Sequence, residues 1–164
     1  MESRTTENLS GKIEILGIEH LGLASGDPEK SGWFFREILG LDEIHRETVT
    51  EQMVETRVFR SGNQSHEANS SEKSKLEVLV STSSEGPIAR YLEKKGGGIH
   101  HLAFRVRNIS EALRQLQRKK IRVVGHGISD GIEGSRVVFI HPESTGGILV
   151  ELVELAHERS CSSV

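Results

Sequence analysis

The chain repeats itself once. Gly17-Ile18-Glu19-His20-Leu21-Gly22-Leu23 returns in related form as Gly98-Ile99-His100-His101-Leu102-Ala103-Phe104. His20 and His101 stand 81 residues apart, about half of the 164-residue chain. A repeat of that length, present twice, argues for a duplicated module and against a solenoid of many short units. Whatever one copy builds, the other builds again.

Each copy is an alternating, β-rich run followed by a helix start. After the first comes Asp27-Pro28, an N-cap with proline at the first helical position. That helix is expected to run through Trp33, Phe34, Phe35, Ile38 and Leu39 and to stop at Gly40. After the second comes Asn108-Ile109-Ser110-Glu111, a cap with glutamate at the third position. Ile109, Ala112, Leu113 and Leu116 then recur at helical spacing. Three strands are expected after each helix: Leu41–Glu47, Gln52–Phe59 and Lys75–Val80, then Arg122–Gly125, Ser135–His141 and Gly147–Leu155. The fold class is therefore α+β, two paired βαβββ modules.

Residues 1–15 read as a flexible N-terminal tail, 16–155 as a single domain and 156–164 as a C-terminal tail. Within the domain the modules span about 16–82 and 97–155, linked by 83–96. The link carries Gly86-Pro87, a short helix over Ile88–Lys94 and the joint Gly96-Gly97-Gly98. Ser61–Ser74, rich in Ser, Asn, Gly and Glu, reads as a long hairpin loop.

Charge narrows the partners. The 21 basic and 24 acidic side chains leave −3, without the basic surplus that marks a nucleic-acid binder. Hydrophobic residues make up 35% and aromatics 4%, which implies a thin core and a two-fold homodimer that buries more. The single Cys161 rules out an intrachain disulfide framework and fits a reducing compartment. No apolar stretch is long enough to span a bilayer. Met1–Lys12 is polar, with Glu2 and Glu7, and lacks the apolar region of a secretory signal. The expectation is a cytoplasmic protein.

The last strands of the two halves also match. Lys75-Leu76-Glu77-Val78-Leu79 parallels Leu149-Val150-Glu151-Leu152-Val153, with one carboxylate inside each apolar run. A buried carboxylate is costly unless paired or bound to a metal. His20, Glu77, His101 and Glu151 thus occupy repeat-related strand positions, and two imidazoles with two carboxylates suit a borderline divalent ion. His100 competes with His101; the repeat chooses His101, and strand alternation puts His100 on the opposite face. His45, His66, His126 and His157 have no repeat partner and read as solvated, and His141 as structural.

These residues resemble the vicinal oxygen chelate superfamily, whose paired βαβββ modules cup a metal on a curved mixed sheet. Within it the chain is similar to the methylmalonyl-CoA epimerase family over almost all of Ile18 to Glu154. The resemblance is carried by Ile18-Glu19-His20-Leu21, Gly86-Pro87-Ile88-Ala89, Gly97-Gly98-Ile99-His100-His101-Leu102-Ala103, Val138-Phe139-Ile140-His141-Pro142 and Thr145-Gly146-Gly147-Ile148-Leu149-Val150-Glu151-Leu152. Glu51-Gln52-Met53-Val54 resembles a Glu-Gln-Gly-Val stretch whose glutamate is the family's catalytic base. The resemblance implies metal ligation by His20, Glu77, His101 and Glu151, and proton transfer by Glu51 and Glu151. It implies one divalent ion per chain, cobalt ahead of manganese, nickel, zinc or iron, and a homodimer. The implied activity is epimerisation at C2 of methylmalonyl-CoA, in propionyl-CoA metabolism, through a metal-stabilised enolate.

Two departures stand out: Met53 replaces the family's glycine, and Glu77 stands where some members carry glutamine. The glycines of Asp130-Gly131-Ile132-Glu133-Gly134-Ser135 read either as a plain flexible turn or as a segment that offers backbone N–H groups to an anionic substrate. Lys94, Lys95, Lys119 and Lys120 are available to CoA phosphates but read equally as solvated faces. A glyoxalase-like lactoylglutathione lyase is the rival enzyme on the same site. A metal-free module that sequesters a small molecule is the rival of another class.

Overall fold

The computed structural model describes residues 11–61 and 74–159. Among the described residues eight strands carry the fold: β1 Ile15–Ala24, β2 Leu41–Val49, β3 Val54–Ser61, β4 Lys75–Ser81, β5 Gly98–Val106, β6 Ser129–Asp130, β7 Arg136–Ile140 and β8 Val150–Glu154. The helices are α1 Pro28–Trp33, α2 Pro87–Lys95, α3 Ile109–Arg118 and the one-turn α4 Ala156–Arg159. All eight strands join one mixed, curled sheet in the order β2-β3-β4-β1-β5-β8-β7-β6. β1 pairs parallel with β4, β5 pairs parallel with β8, and β1 and β5 meet antiparallel at the centre. The duplication read in the sequence is a duplication in space about that central seam.

Local chemistry sets the elements. The Asp27 side chain accepts from the Lys30 N–H at 3.0 Å, and Asn108 accepts from the Glu111 N–H at 2.9 Å; such caps contribute ~1 kcal/mol each. α3 lays Ile109, Ala112 and Leu116 against Val138, Ile140 and Leu152 on one face of the sheet. Buried Glu154 on that face accepts from the Ile109 N–H at 3.1 Å and pairs with Arg136, so its charge is met by a helix start and a guanidinium. The alternate residues of the same strands, Ala103, Val137 and Val153, pack on the other face. That second face carries the site.

Several expectations need correction. The helix expected to reach Gly40 gives way after Trp33 to a wider π-helical turn, Phe34–Ile38, which sets Phe35 against Phe59 with ring centroids 5.4 Å apart. Trp33, Phe34, Ile38 and Leu39 are left exposed. β3 begins at Val54, later than expected, because Thr50–Gln52 is a helical turn closed by Met53 in the left-handed region (φ 54). Arg122–Gly125 is no strand but the single bridge Val123↔Ile140, since Gly125 and Gly127 (φ 66 and 112) turn the chain away. Two-residue β6 takes the outer place instead. β1 starts inside the expected N-terminal tail, and α4 lies inside the expected C-terminal one. Residues 1–10, most of the Ser61–Ser74 loop, His66 and Cys161 lie outside the described residues. Among the described residues no helix is long and apolar enough to cross a membrane.

Candidate metal centre and active site

The central seam brings the two histidines together. In the β1–β5 register His20 lies opposite Ala103 and Gly22 opposite His101. The flanking strands extend the same rows: Gly22 pairs with Glu77, and Ala103 with Glu151. The four expected ligands therefore come from four adjacent central strands, and all four are buried. His20 Nε2 lies 2.9 Å from His101 Nε2, 2.9 Å from Glu151 Oε2 and 3.4 Å from Glu77 Oε2. His101 Nε2 is 3.1 Å from the same Glu151 oxygen. His20, His101 and Glu151 form the tight cluster; Glu77 approaches it through His20.

The seam is not regular. β1 carries an extra residue at Glu19, where Ile18 and His20 face consecutive Phe104 and Ala103. β5 carries one at His100, where Ile99 and His101 face consecutive Leu23 and Gly22. A β-bulge rotates the extra residue out of strict alternation. This overturns the expectation for His100: it lines the same cavity as His101, and their Nδ1 atoms are 3.0 Å apart. Glu19, its counterpart in the first module, is also buried in the cavity wall and pairs with Lys75 at 2.7 Å. Single-strand periodicity hid both residues, although they sit one position before His20 and His101 in the two repeats. Gly22 was also missed: a Cβ there would fall 2.2 Å from His101 Cε1, so only glycine leaves room for that ring.

Protonation in the cluster is set by burial against neighbours. Burial pulls the His20 imidazole down, but Glu77 and then Glu151 outweigh it and raise its pKa to about 9. Burial pushes the Glu151 carboxyl up, yet the imidazoles of His101 and His20 hold it down to about 2. Glu77 is raised, mainly by burial and only partly opposed by His20. His100 falls to about 4, through burial and then the nearby His101.

A divalent ion fits this donor set. Glu151 Oε2 is buried without a hydrogen-bond donor aimed at it, although two Nε2 atoms stand near. Proximity is satisfied but direction is not. Once the His20 proton is displaced, two imidazole nitrogens and a carboxylate oxygen converge as lone-pair donors on one point, the donor set a shared divalent cation takes.

The cluster is buried in the wall of a cavity of about 790 Å³ whose apolar lining includes Leu79, Ile88, Phe139 and Leu149. Glu51 lines the same cavity from the exposed Thr50–Gln52 turn. Across it lies the matching turn of the second module, Ile132–Gly134. The two rims touch: Gln52 Nε2 donates to the Asp130 carbonyl at 3.2 Å, and the Glu133 N–H donates to Glu47 at 3.0 Å. His45, read as solvated, pairs with Glu47 at 3.0 Å, while exposed His126 lines the cavity. The N–H groups of the 130–135 segment are less available than expected, because the Gly131 N–H already donates to the Ser135 carbonyl. His141 Nδ1 accepts from the Glu143 N–H at 3.2 Å, a capping role. Lys94, Lys95, Lys119 and Lys120 are exposed at helix ends outside the cavity lining; the lysine in the wall is Lys75.

Comparison with known proteins agrees with this geometry. A family model described as the glyoxalase/bleomycin resistance protein/dioxygenase superfamily matches residues 19–139. The mitochondrial methylmalonyl-CoA epimerase of Homo sapiens is 34% identical over 152 residues, covering 92% of this chain and 81% of the human one. The crystal structure of methylmalonyl-CoA epimerase from Mycobacterium tuberculosis superposes with a TM-score of 0.78 at 27% identity, over 90% of this chain and 93% of that one. An epimerase structure from Streptomyces coelicolor, in complex with 2-nitronate-propionyl-CoA, gives 0.79 at 29% identity, over 87% and 99%. The chain belongs to the glyoxalase/bleomycin resistance protein/dioxygenase superfamily and, within it, to the methylmalonyl-CoA epimerase family.

Proposed function

We propose that the chain interconverts the two C2 epimers of methylmalonyl-CoA, with His20, Glu77, His101 and Glu151 holding one divalent ion and Glu51 and Glu151 moving the proton. The observation that carries this reading is one cavity lined by both the buried His–His–Glu cluster and the separate carboxylate of Glu51. Cobalt is the first expectation for the ion.

The substrate's C2–H lies between a thioester carbonyl and a carboxylate, so removing its proton leaves an enolate on the thioester oxygen. When bound, the divalent ion supplies Lewis acidity toward that oxygen. The protein supplies the rest. Glu51, on the rim, takes the proton from one face of C2; a carboxyl on the opposite face, assigned to Glu151, returns one, and the reverse reaction exchanges the roles. Proton transfer by a positioned carboxylate contributes ~10²–10⁴-fold. The low pKa of Glu151 beside the two imidazoles suits a ligand better than an acid, so its proton-transfer role requires a loosened hold from His20 and His101.

A paired assay tests the reading. The metal-loaded protein is given one methylmalonyl-CoA epimer in D2O and, separately, the methylglyoxal–glutathione adduct. Inversion with deuterium uptake at C2, and no turnover of the adduct, is expected. Turnover of the adduct alone would make it a lactoylglutathione lyase. Turnover of neither, without bound metal, would make it a binding module. Glu51→Gln should retain the metal and lose epimerisation by ~10²-fold or more.

Two further parts of the proposal concern setting. The exposed apolar side chains Trp33, Phe34, Ile38 and Leu39 on one stretch of chain support a homodimer; a solution mass of 18.2 kDa would refute it. A cytoplasmic location is kept alongside relatives named as mitochondrial, and cell fractionation decides between them.

A further inference from the structure

His101 can ligate through Nε2 only if its proton sits on Nδ1, because a neutral imidazole carries one N–H and one lone pair. Its Nε2 is turned toward His20 and Glu151, at 2.9 and 3.1 Å. Its Nδ1 faces one group in particular: Nδ1 of His100, 3.0 Å away. The bulge at His100 is what makes that contact possible, since regular alternation would send the ring through the sheet. The bulge is itself held. The Tyr91 hydroxyl donates to the carbonyl of Ile99, the residue before the bulge, at 2.6 Å. The Tyr91 ring meets the His100 ring edge-on, with centroids 4.9 Å apart. A chain of contacts therefore runs from α2 through Tyr91 and His100 to the ligand.

We infer that His100, seated by Tyr91, is a positioning residue of the metal centre: its Nδ1 accepts the Nδ1–H of His101 and so fixes His101 as an Nε2 ligand. The inference rests on the metal-binding reading above. Among the described residues the first module shows no such device. Glu19 holds the equivalent bulge position, but its carboxylate turns to Lys75 at 2.7 Å. Orientation of a ligand histidine by an acceptor behind it typically changes metal affinity 10–100-fold when removed.

The test is the affinity of the full chain for Zn2+, measured by competition with a chelating dye, in four proteins: wild type, His100→Leu, His100→Asn and Tyr91→Phe. Leucine keeps an apolar filler and removes the acceptor. Asparagine keeps an acceptor oxygen near the place of Nδ1. The expected order is wild type, then Asn and Tyr91→Phe a few-fold weaker, then Leu weaker by ~10–100-fold. A role in packing alone reverses the order of Leu and Asn. Nitrogen-15 NMR of the zinc-loaded wild type should show a slowly exchanging His101 Nδ1–H that exchanges fast in His100→Leu. Wild-type affinity in His100→Leu, or asparagine no better than leucine, overturns the inference. If the leucine variant fails to fold, asparagine against wild type and the NMR signal still decide. Epimerisation by a wild type whose variants show no such order sinks this inference alone. A wild type that takes up no Zn2+ sinks the metal reading with it.

Discussion

The two modules place the same residue types at the same positions and use them differently. Glu151 stands within 3.1 Å of both His20 and His101, whereas Glu77 reaches His20 at 3.4 Å. His100 meets His101 through a ring nitrogen, Nδ1 to Nδ1; Glu19 turns to Lys75 instead. The rim turns differ most. Glu51 in the first module corresponds to Ile132 in the second, and Met53 to Gly134, each 81 positions on. At this position one half presents a carboxylate and the other an apolar side chain, while the second rim carries its carboxylate one residue on, at exposed Glu133, which also lines the cavity. Duplication supplied a symmetric cup, and divergence at a few positions makes its two sides chemically unequal.

The largest expected break in that symmetry comes from exchanging each carboxylate for its amide. Glu151→Gln removes the charge beside both imidazoles. Stranding a buried charge in this way costs ~3–5 kcal/mol, so metal affinity should fall by roughly two to four orders of magnitude. Glu77→Gln keeps an oxygen donor at the more distant position and should cost about tenfold or less. Equal losses, read by metal analysis and competition titration, would show that the ligands contribute symmetrically.

Next is pH. The folded-state value of His20, about 9, lies above the ordinary 6.5. Its proton stabilises the metal-free fold fully below pH 6.5 and stops doing so as pH rises through about 9. A cation at Nε2 must displace that proton, so uptake below pH 9 releases close to one proton from His20. Affinity should then drop about tenfold for each unit of acidification. Calorimetry in buffers of different ionisation heat counts the proton; affinity that stays flat between about pH 6 and 8 contradicts the assignment.

The seam offers a third, smaller contrast. Gly22 faces His101 and fully buried Ala103 faces His20. Gly22→Ala would drive a Cβ into the His101 ring, at a cost of ~1–3 kcal/mol for overpacking, and should weaken metal binding by about tenfold or more. Ala103→Gly meets no ring and should leave metal binding near wild type, with ~0.5–1 kcal/mol lost from the strand. A Gly22→Ala protein with unchanged affinity would show that the ring has room to move.

What was legible in the sequence was whatever repeats. The 81-residue offset paired His20 with His101, and carboxylates inside apolar strands marked Glu77 and Glu151 before any geometry was known. What escaped was whatever breaks local periodicity. His100 was sent to the wrong face because alternation assumes an unbulged strand, and a bulge exists only in the pairing of two strands distant in sequence. Arg122–Gly125 looked like a strand by composition, yet Gly125 and Gly127 deny it a continuous partner. Gly22 looked like an ordinary strand glycine until the ring across the seam was placed against it.

The smallest prediction returns to the rim turns. Met53 holds a left-handed conformation, φ 54, and its counterpart Gly134 holds φ 69. A side chain in that region costs roughly 1–2 kcal/mol, while glycine costs ~0.5–1 kcal/mol in chain entropy. Met53→Gly should therefore stabilise the protein by up to about 1 kcal/mol, a rise in Tm of ~2–4 °C for a chain of this size. Gly134→Ala, the mirror change, should lower Tm by a similar amount. The opposing term is packing, because the half-buried Met53 side chain lies close to Gly86, where an added Cβ would be 3.2 Å from Met53 Cβ. Thermal unfolding of both variants separates the two effects. If Met53→Gly lowers Tm while Gly134→Ala also lowers it, side-chain contact in the first module outweighs backbone strain, and the methionine is held there by Gly86 in spite of its conformation.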